Sequence, residues 1–429
     1  MKSSLIEERA YNKQGEKTMQ SRMNKAIVAA LGAVALIVPM AACGSSSADS
    51  GNSLTVYSYY NKATMDPVVA AFEKANPDIK VQISYGQGDS EYNSTLQTRI
   101  AGNQAPDVFN LNGNNRADLM NNGAVADITG AGYLKGIDET YLTDYTKDGK
   151  IYGMPISGWL AGVVYNKDLL KEVGYDSVPD NLDDFAALAK KLKDKGITPF
   201  LENGQEMSGS LIGLLGSYYA STGTDGDKEI YAGKSTFADQ WTKAFEAWND
   251  GFIKSGALPQ EATGLNADQV KQSFINGEAA MYRTGGWDVA DIKAAGVNYG
   301  FSPFPEYPGS EPYVDGGADP AFAISAKTKH KDAAEKFLTF MNSEEGLKLF
   351  TTAYGSASVS SNYTSDIDEQ LKPLYDDYFF KGKFHWVSFE KGSTAMSAEV
   401  IAQQQGIQGG TTTPTDAAKN LDAKWSSVQ

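Results

Sequence analysis

Trp287 and Asp288 close a stretch, FINGEAAMYRTGGWD at 274–288, whose residue types suit the binding of a sugar. An indole offers a broad, flat apolar face, and a carboxylate accepts hydrogen bonds from hydroxyls. A sugar ring presents the complement, with apolar C–H faces bounded by a rim of hydroxyls. Upstream, the run at 268–275 reads as a helix, broken by Asn276-Gly277, residues that tolerate positive φ at a helix C-terminus. Ala279, Ala280, Met281 and Tyr282 then form a short apolar run that reads as a buried strand. Gly285 and Gly286 strip side chains from the end of that strand, which is expected to leave room for a ligand beside Trp287. The competing reading is a tryptophan of the core followed by a helix-capping aspartate.

Two more polar loops are placed by the strand pattern near the front of the chain. Residues 54–59 alternate as a first strand, and Asp66-Pro67 reads as the N-cap and first position of a helix. Met65, Val68, Val69 and Phe72 form the apolar stripe of that helix, Asn76-Pro77 closes it, and Ile79, Val81 and Ile83 alternate as a second strand. Strand, helix and strand in so short a span make a βα unit of a parallel sheet. A helix at 92–101 and a third strand at 105–109 follow. Open α/β sheets bind ligands beyond the carboxyl ends of their strands. Tyr60 and Asn61 lie beyond the first strand, and Asn112, Gly113, Asn114, Asn115 and Arg116 beyond the third. Asparagine amides donate and accept together, which matches sugar hydroxyls, although the same residues also build ordinary turns.

Later elements supply the remaining candidates. A helix at 179–195 turns Leu182, Phe185, Leu188, Ala189 and Leu192 inward and ends at Gly196. A short strand at 197–200 runs into the loop Glu202-Asn203-Gly204. The helix at 237–253 places Trp241, Phe245 and Trp248 in the core, and 299–304 reads as a strand. His330, before a helix at 331–340, reads as solvated surface. His385, Trp386 and Phe389 form an aromatic-rich region ahead of a helix at 395–405. His385 reads either as a buried structural histidine or as a ligand contact that titrates near neutrality.

Bulk composition narrows the chemistry. With 429 residues the chain is expected to form two or three compact units. The net charge is −15, and the segment after residue 42 is more acidic still. Such a surface repels nucleic acid and anionic headgroups and disfavours an anionic substrate. One cysteine rules out an intrachain disulfide framework, and two histidines leave no room for a His-rich zinc site. No metal or other cofactor is expected. The G-x-S-x-G, G-x-x-x-x-G-K-[ST] and H-E-x-x-H patterns are not found. A glycosidase needs only two carboxylates, and Asp288 with Asp319 are the pair that a secreted glycoside-acting enzyme would use.

The N-terminus carries a second signal. Residues 1–22 are a polar extension, Arg22 and Lys25 precede the uncharged run 26–40, and MAACG follows at 40–44. Such a run is shorter than the roughly 20 residues of a membrane span and fits the apolar region of a secretion signal. The small residues before Cys43 resemble a lipobox, which implies cleavage before Cys43 and lipidation of its thiol, so that a lipid anchor is the only membrane contact. GSSSADSGN at 44–52 is a flexible tether.

Four motifs in order resemble the bacterial extracellular solute-binding proteins of sugar ABC importers, the maltose-binding-protein group. They are FEKANPDIKV with PDVF, DGKIYGMP with YNKDLL, the F-x-x-G-x-AAM-x-x-x-G-x-W pattern ending at Trp287, and KDAAEKFLTFMNSEEGLKLF. The resemblance implies a periplasmic-binding-protein-like α/β fold, two α/β lobes joined by a hinge with the ligand cleft between them. It implies a first lobe of 53–162 and 318–360 and a second of 163–317 and 361–429, after a leader of 1–42 and a tether of 43–52. The chain would cross near 160–166 and 313–320, and again near 358–364. In such a protein Trp287 stacks on sugar, Trp159 lies where relatives contact the ligand, and Asn203, Asp319, His385 and Trp386 join the cleft. The implied role is capture of an oligosaccharide by closure and delivery to permease subunits by a monomer held on the outer face of the membrane. The branch resembles binders of α-galactosides or α-glucosides of the raffinose and isomaltose types.

Overall fold

A computed structural model describes residues 53–428, which form one compact unit. The leader, the lipobox with Cys43 and the tether lie outside the described residues.

The first sheet is built as the alternation of the early strands dictates. Strands β1 (Ser53–Ser58), β2 (Lys80–Tyr85) and β3 (Val108–Leu111) run parallel, joined by helices α1 (Lys62–Ala75) and α2 (Asp89–Ala101). The α1 stripe Met65, Val68, Val69 and Phe72 is buried, as its spacing requires. Its start is not where Asp66-Pro67 pointed. Asn61 is the N-cap, its side chain accepting from the Thr64 N–H at 3.0 Å, and Pro67 lies inside the helix. Burial of Thr64 and Met65 carries the helix a turn ahead of the proline, and Asp66 instead pairs with Lys62 and the Tyr85 hydroxyl.

The second sheet is organised around β4 (Ser157–Asn166), buried at every position but the last, as a strand covered on both faces must be. Helix α3 (Leu182–Asp194) sets all five of its expected inward residues in the core and ends at Gly196 with φ 77°. Strand β5 (Thr198–Leu201) and helices α4 (Gly209–Thr222), α5 (Phe237–Trp248) and α6 (Ala267–Ile275) follow, with Trp241, Phe245 and Trp248 buried. Strands β6 (Ala279–Gly285) and β7 (Tyr299–Ser302) both lie antiparallel to β4. So does β8 (Val314–Gly317). The chain then returns to the first sheet as β9 (Ala321–Ile324), antiparallel to β3.

Helices α7 (Lys331–Met341) and α8 (Glu344–Tyr354) cover the first sheet. His330 is not free surface. Its Nδ1 lies 3.2 Å from both Asp107 oxygens, and Thr55 and Thr328 donate to the same carboxylate. Those hydrogen bonds outweigh burial and hold the Asp107 carboxyl below its usual range. A two-residue strand, Ala357–Ser358, pairs with β4. Strand β10 (Phe384–His385) joins β8 in parallel, and helices α9 (Ser393–Gln408) and α10 (Pro414–Ser427) pack on the second sheet's helices.

The architecture is thus two α/β lobes, one per sheet, with strand order β9-β3-β1-β2 in the first and β10-β8-β4-β6-β5 in the second. The chain changes sheet between Met154, which pairs with Phe322 of β9, and Ser157. It changes back between Gly317 and Ala321. β4 itself runs unbroken in the second sheet, so Trp159 to Gly162 stand with that lobe.

Candidate ligand cleft

Register on the second sheet sets the site. Side chains alternate along a strand, and residues directly opposite share a face. Trp159, Ala161 and Val163 of β4 stand opposite Gly317, Asp315 and Arg283 respectively, while Gly285 also faces Ala161. Trp159, Arg283 and Asp315 therefore share one face, where β6 and β8 end beside the passage between the lobes.

Three tryptophans meet there. Trp159 is edge-on to Trp287 with ring centres 6.0 Å apart, and to Trp386 at 5.0 Å. Trp159 is 8% exposed, whereas Trp287 is 38% exposed. A core tryptophan would be covered, so Trp287 stands partly open to solvent. The room that Gly285 and Gly286 provide is not a ligand's. A side chain at Gly285 would strike the Leu160 carbonyl and the Trp287 ring, and one at Gly286 would strike the backbone of Gly355 at the end of α8. These glycines let two backbones touch at the lobe boundary and let the indole fold back over its own strand.

Arg283 is the charged centre of this wall. Its guanidinium carbon lies 5.7 Å from the Trp287 ring centre and 6.0 Å from that of Trp159. Its Nη2 donates to Asp315 Oδ2 at 2.5 Å, and Nη1 is 3.7 Å from Glu206. Burial works against the Arg283 charge, but Asp315 and Glu206 outweigh it and raise the arginine above its ordinary value. Burial likewise pushes the Asp315 carboxyl up, only partly offset by Arg283. Three buried polar atoms here, Arg283 Nε, Asp315 Oδ1 and Trp386 Nε1, have no hydrogen-bond partner among the described residues. Buried orphans of this kind call for a partner.

The opposite wall comes from the first lobe. Asp319, between β8 and β9, accepts from the Tyr145 hydroxyl at 2.8 Å and the Gly113 N–H at 3.4 Å, and Arg116 lies 3.6 Å away. Asn112 and Asn115 tie the loop after β3 to itself and to Asn93. Asn114 reaches the second lobe. Tyr60 is buried against Phe322, Phe350 and Tyr354, its hydroxyl donating to the Pro320 carbonyl at 2.9 Å, so it supports Asp319's loop from behind.

Other expected contacts have different tasks. Asn61 spends its side-chain oxygen as the α1 cap, and Asn203 spends its own on the Gln205 N–H within a turn. Asp288 accepts from Thr284 at 2.6 Å and Tyr282 at 3.1 Å and pairs with Lys271 at 3.3 Å. His385 points back to Asp227 at 3.1 Å and packs edge-on to Tyr219, as a structural histidine. Asp288 and Asp319 are each absorbed in separate structural networks, so they do not stand as a catalytic pair. Arg283, Asp315 and Glu206 were not anticipated. A charged residue inside the otherwise uncharged strand AAMYRTG was the available signal, since a buried strand admits an arginine only with a partner.

The family model for bacterial extracellular solute-binding proteins matches residues 58–348. The chain belongs to that family. It is accordingly a binding protein and not an enzyme. A solved family 1 extracellular solute-binding protein from Bifidobacterium longum subsp. infantis is 45% identical, with a TM-score of 0.76 over 87% of this chain and 99% of that one. The multiple sugar-binding protein of Streptococcus mutans is 28% identical over 83% of this chain and 88% of its own length. The melibiose/raffinose/stachyose-binding protein of Bacillus subtilis is 25% identical over 89% and 94%.

Proposed function

We propose that this family member captures a neutral oligosaccharide between its lobes and hands it to the permease of an ABC importer. The observation that carries the reading is the row Trp386–Trp159–Trp287, with the partly exposed Trp287 beside buried polar atoms that lack partners among the described residues. Stacking desolvates the C–H faces of a sugar, while Arg283, Asp315 and Trp386 meet its hydroxyls. Each cleft arginine is matched by carboxylates, Arg283 by Asp315 and Glu206, Arg116 by Asp144 and Asp319. The wall thus has no spare positive charge for an acidic sugar. Relatives named for multiple sugars and for melibiose, raffinose and stachyose support an α-galactoside or α-glucoside ligand.

Closure of the lobe built on the first sheet against the lobe built on the second completes the mechanism, with a monomer as the working unit. Cys43 carries the lipid that keeps the protein at the outer membrane face, and Cys43→Ala should move it from the membrane fraction to the soluble one. A calorimetric screen of di- to tetrasaccharides including raffinose and stachyose tests the ligand class. Saturable binding of neutral sugars and none of uronic-acid analogues is expected; tighter binding of the acidic analogues would overturn the reading.

A further inference from the structure

Helix α9 is fastened to the second lobe by one end and to the first lobe by the other. Toward its C-terminus, Gln404 accepts from the Ser208 N–H and donates to the Glu206 carbonyl, Gln405 donates to Gly204 and Gln408 to Pro259. All four partners lie among the second lobe's loops. At its start, Ser393 donates to the Gly113 carbonyl at 3.0 Å, and Ser397 donates to Asn114 Oδ1 at 2.9 Å. Ser388, just ahead of the helix, donates to the same Gly113 carbonyl at 2.8 Å. Gly113 and Asn114 follow β3 of the first sheet, so each of these bonds spans the two lobes.

The fit is close as well as polar. A Cβ at Gly113 would lie 2.6 Å from Trp386 Nε1, so only glycine lets the loop seat against the indole. None of the hydroxyls or acceptors involved needs a ligand for its partner. We propose that Ser388, Ser393 and Ser397, gripping Gly113 and Asn114, form an interlobe latch that biases the cleft toward the closed state and so sets how fast a bound solute escapes. The serines are positioning residues, acting through the lobes and not through contact with the ligand. A hydrogen bond present only when closed shifts the open-to-closed ratio by up to about tenfold, and a set of them more.

The latch builds on the two-lobed cleft reading, and its first test needs no sugar. Small-angle scattering of the full chain without ligand should give a larger radius of gyration for Ser393→Ala with Ser397→Ala than for the wild type. Ser393→Thr with Ser397→Thr, which keep both hydroxyls, should return the wild-type radius, whereas a purely local packing role would not be rescued. Asn114→Ala removes the acceptor from the other lobe, should expand the protein alike, and decides the matter if the double variant does not fold. With raffinose as the probe, dissociation should quicken about tenfold or more in the alanine pair while association changes less than about threefold. An unchanged ligand-free radius overturns the latch. Wild type that ignores raffinose overturns that sugar assignment alone, since the scattering comparison still reads the latch.

Discussion

Arg283 decides more of the cleft's electrostatics than any residue whose type announced a sugar site. It stands over two indoles and holds the fully buried Asp315, a carboxyl already raised by desolvation. Removing one member of a buried ion pair strands the other, at a cost of about 3–5 kcal/mol. Arg283→Met is therefore expected to lose stability by that order at pH 7, measured by urea unfolding. The loss should shrink on acidification. A carboxyl whose folded pKa lies above its unfolded one adds stability below the unfolded value, near 4, and loses it as pH rises through the folded value. Losing Arg283 raises the Asp315 value further, so the gap between variant and wild type should be smaller at pH 4 than at pH 7. A gap that widens on acidification would contradict the assignment. Trp159, Trp287 and Trp386 could be singled out in the sequence because a flat ring near strand ends suits a sugar on type alone, but their meeting at one wall could not. Asn61 and Asp288 were harder to read because a cap and a ligand contact use the same polar atoms, and sequence does not show where these go.

At the scale of elements, periodicity was readable wherever burial follows one face. The spacing of Leu182, Phe185, Leu188, Ala189 and Leu192 defined α3, and all five are buried. Leu188→Ala should cost about 2–5 kcal/mol by leaving a cavity under that helix, with solute affinity little changed because the helix lies away from the tryptophans. Thermal unfolding beside a binding isotherm would check this; an affinity loss without a stability loss would be the wrong sign. Helix starts were harder. Asp66-Pro67 has the right types for a beginning, but tertiary burial of Thr64 and Met65 extends α1 back to the Asn61 cap. The pair Gly285-Gly286 misled for a related reason, since glycine signals close approach without saying what approaches. Here it is the backbone of Gly355 and Leu160.

For the whole molecule, the two-lobe plan was legible because motifs in order along the chain carry it. The contacts between lobes were not, since Gly113 meets Ser393 and Asn114 meets Ser397 only through the return of distant chain to one cleft. Those contacts make the account one of capture, in which a tryptophan wall on the second lobe meets a braced loop on the first. Its central claim is that Trp287 stacks on the captured sugar. Titration calorimetry of Trp287→Ala against the best sugar of the screen, beside a melting curve, tests it most directly. Loss of an aromatic anchor should weaken binding by roughly 1–3 kcal/mol, about ten- to a hundredfold, while the melting temperature stays near that of the wild type because the ring is already partly exposed. Unchanged affinity with a collapsed melting temperature would make Trp287 a structural residue and contradict the account.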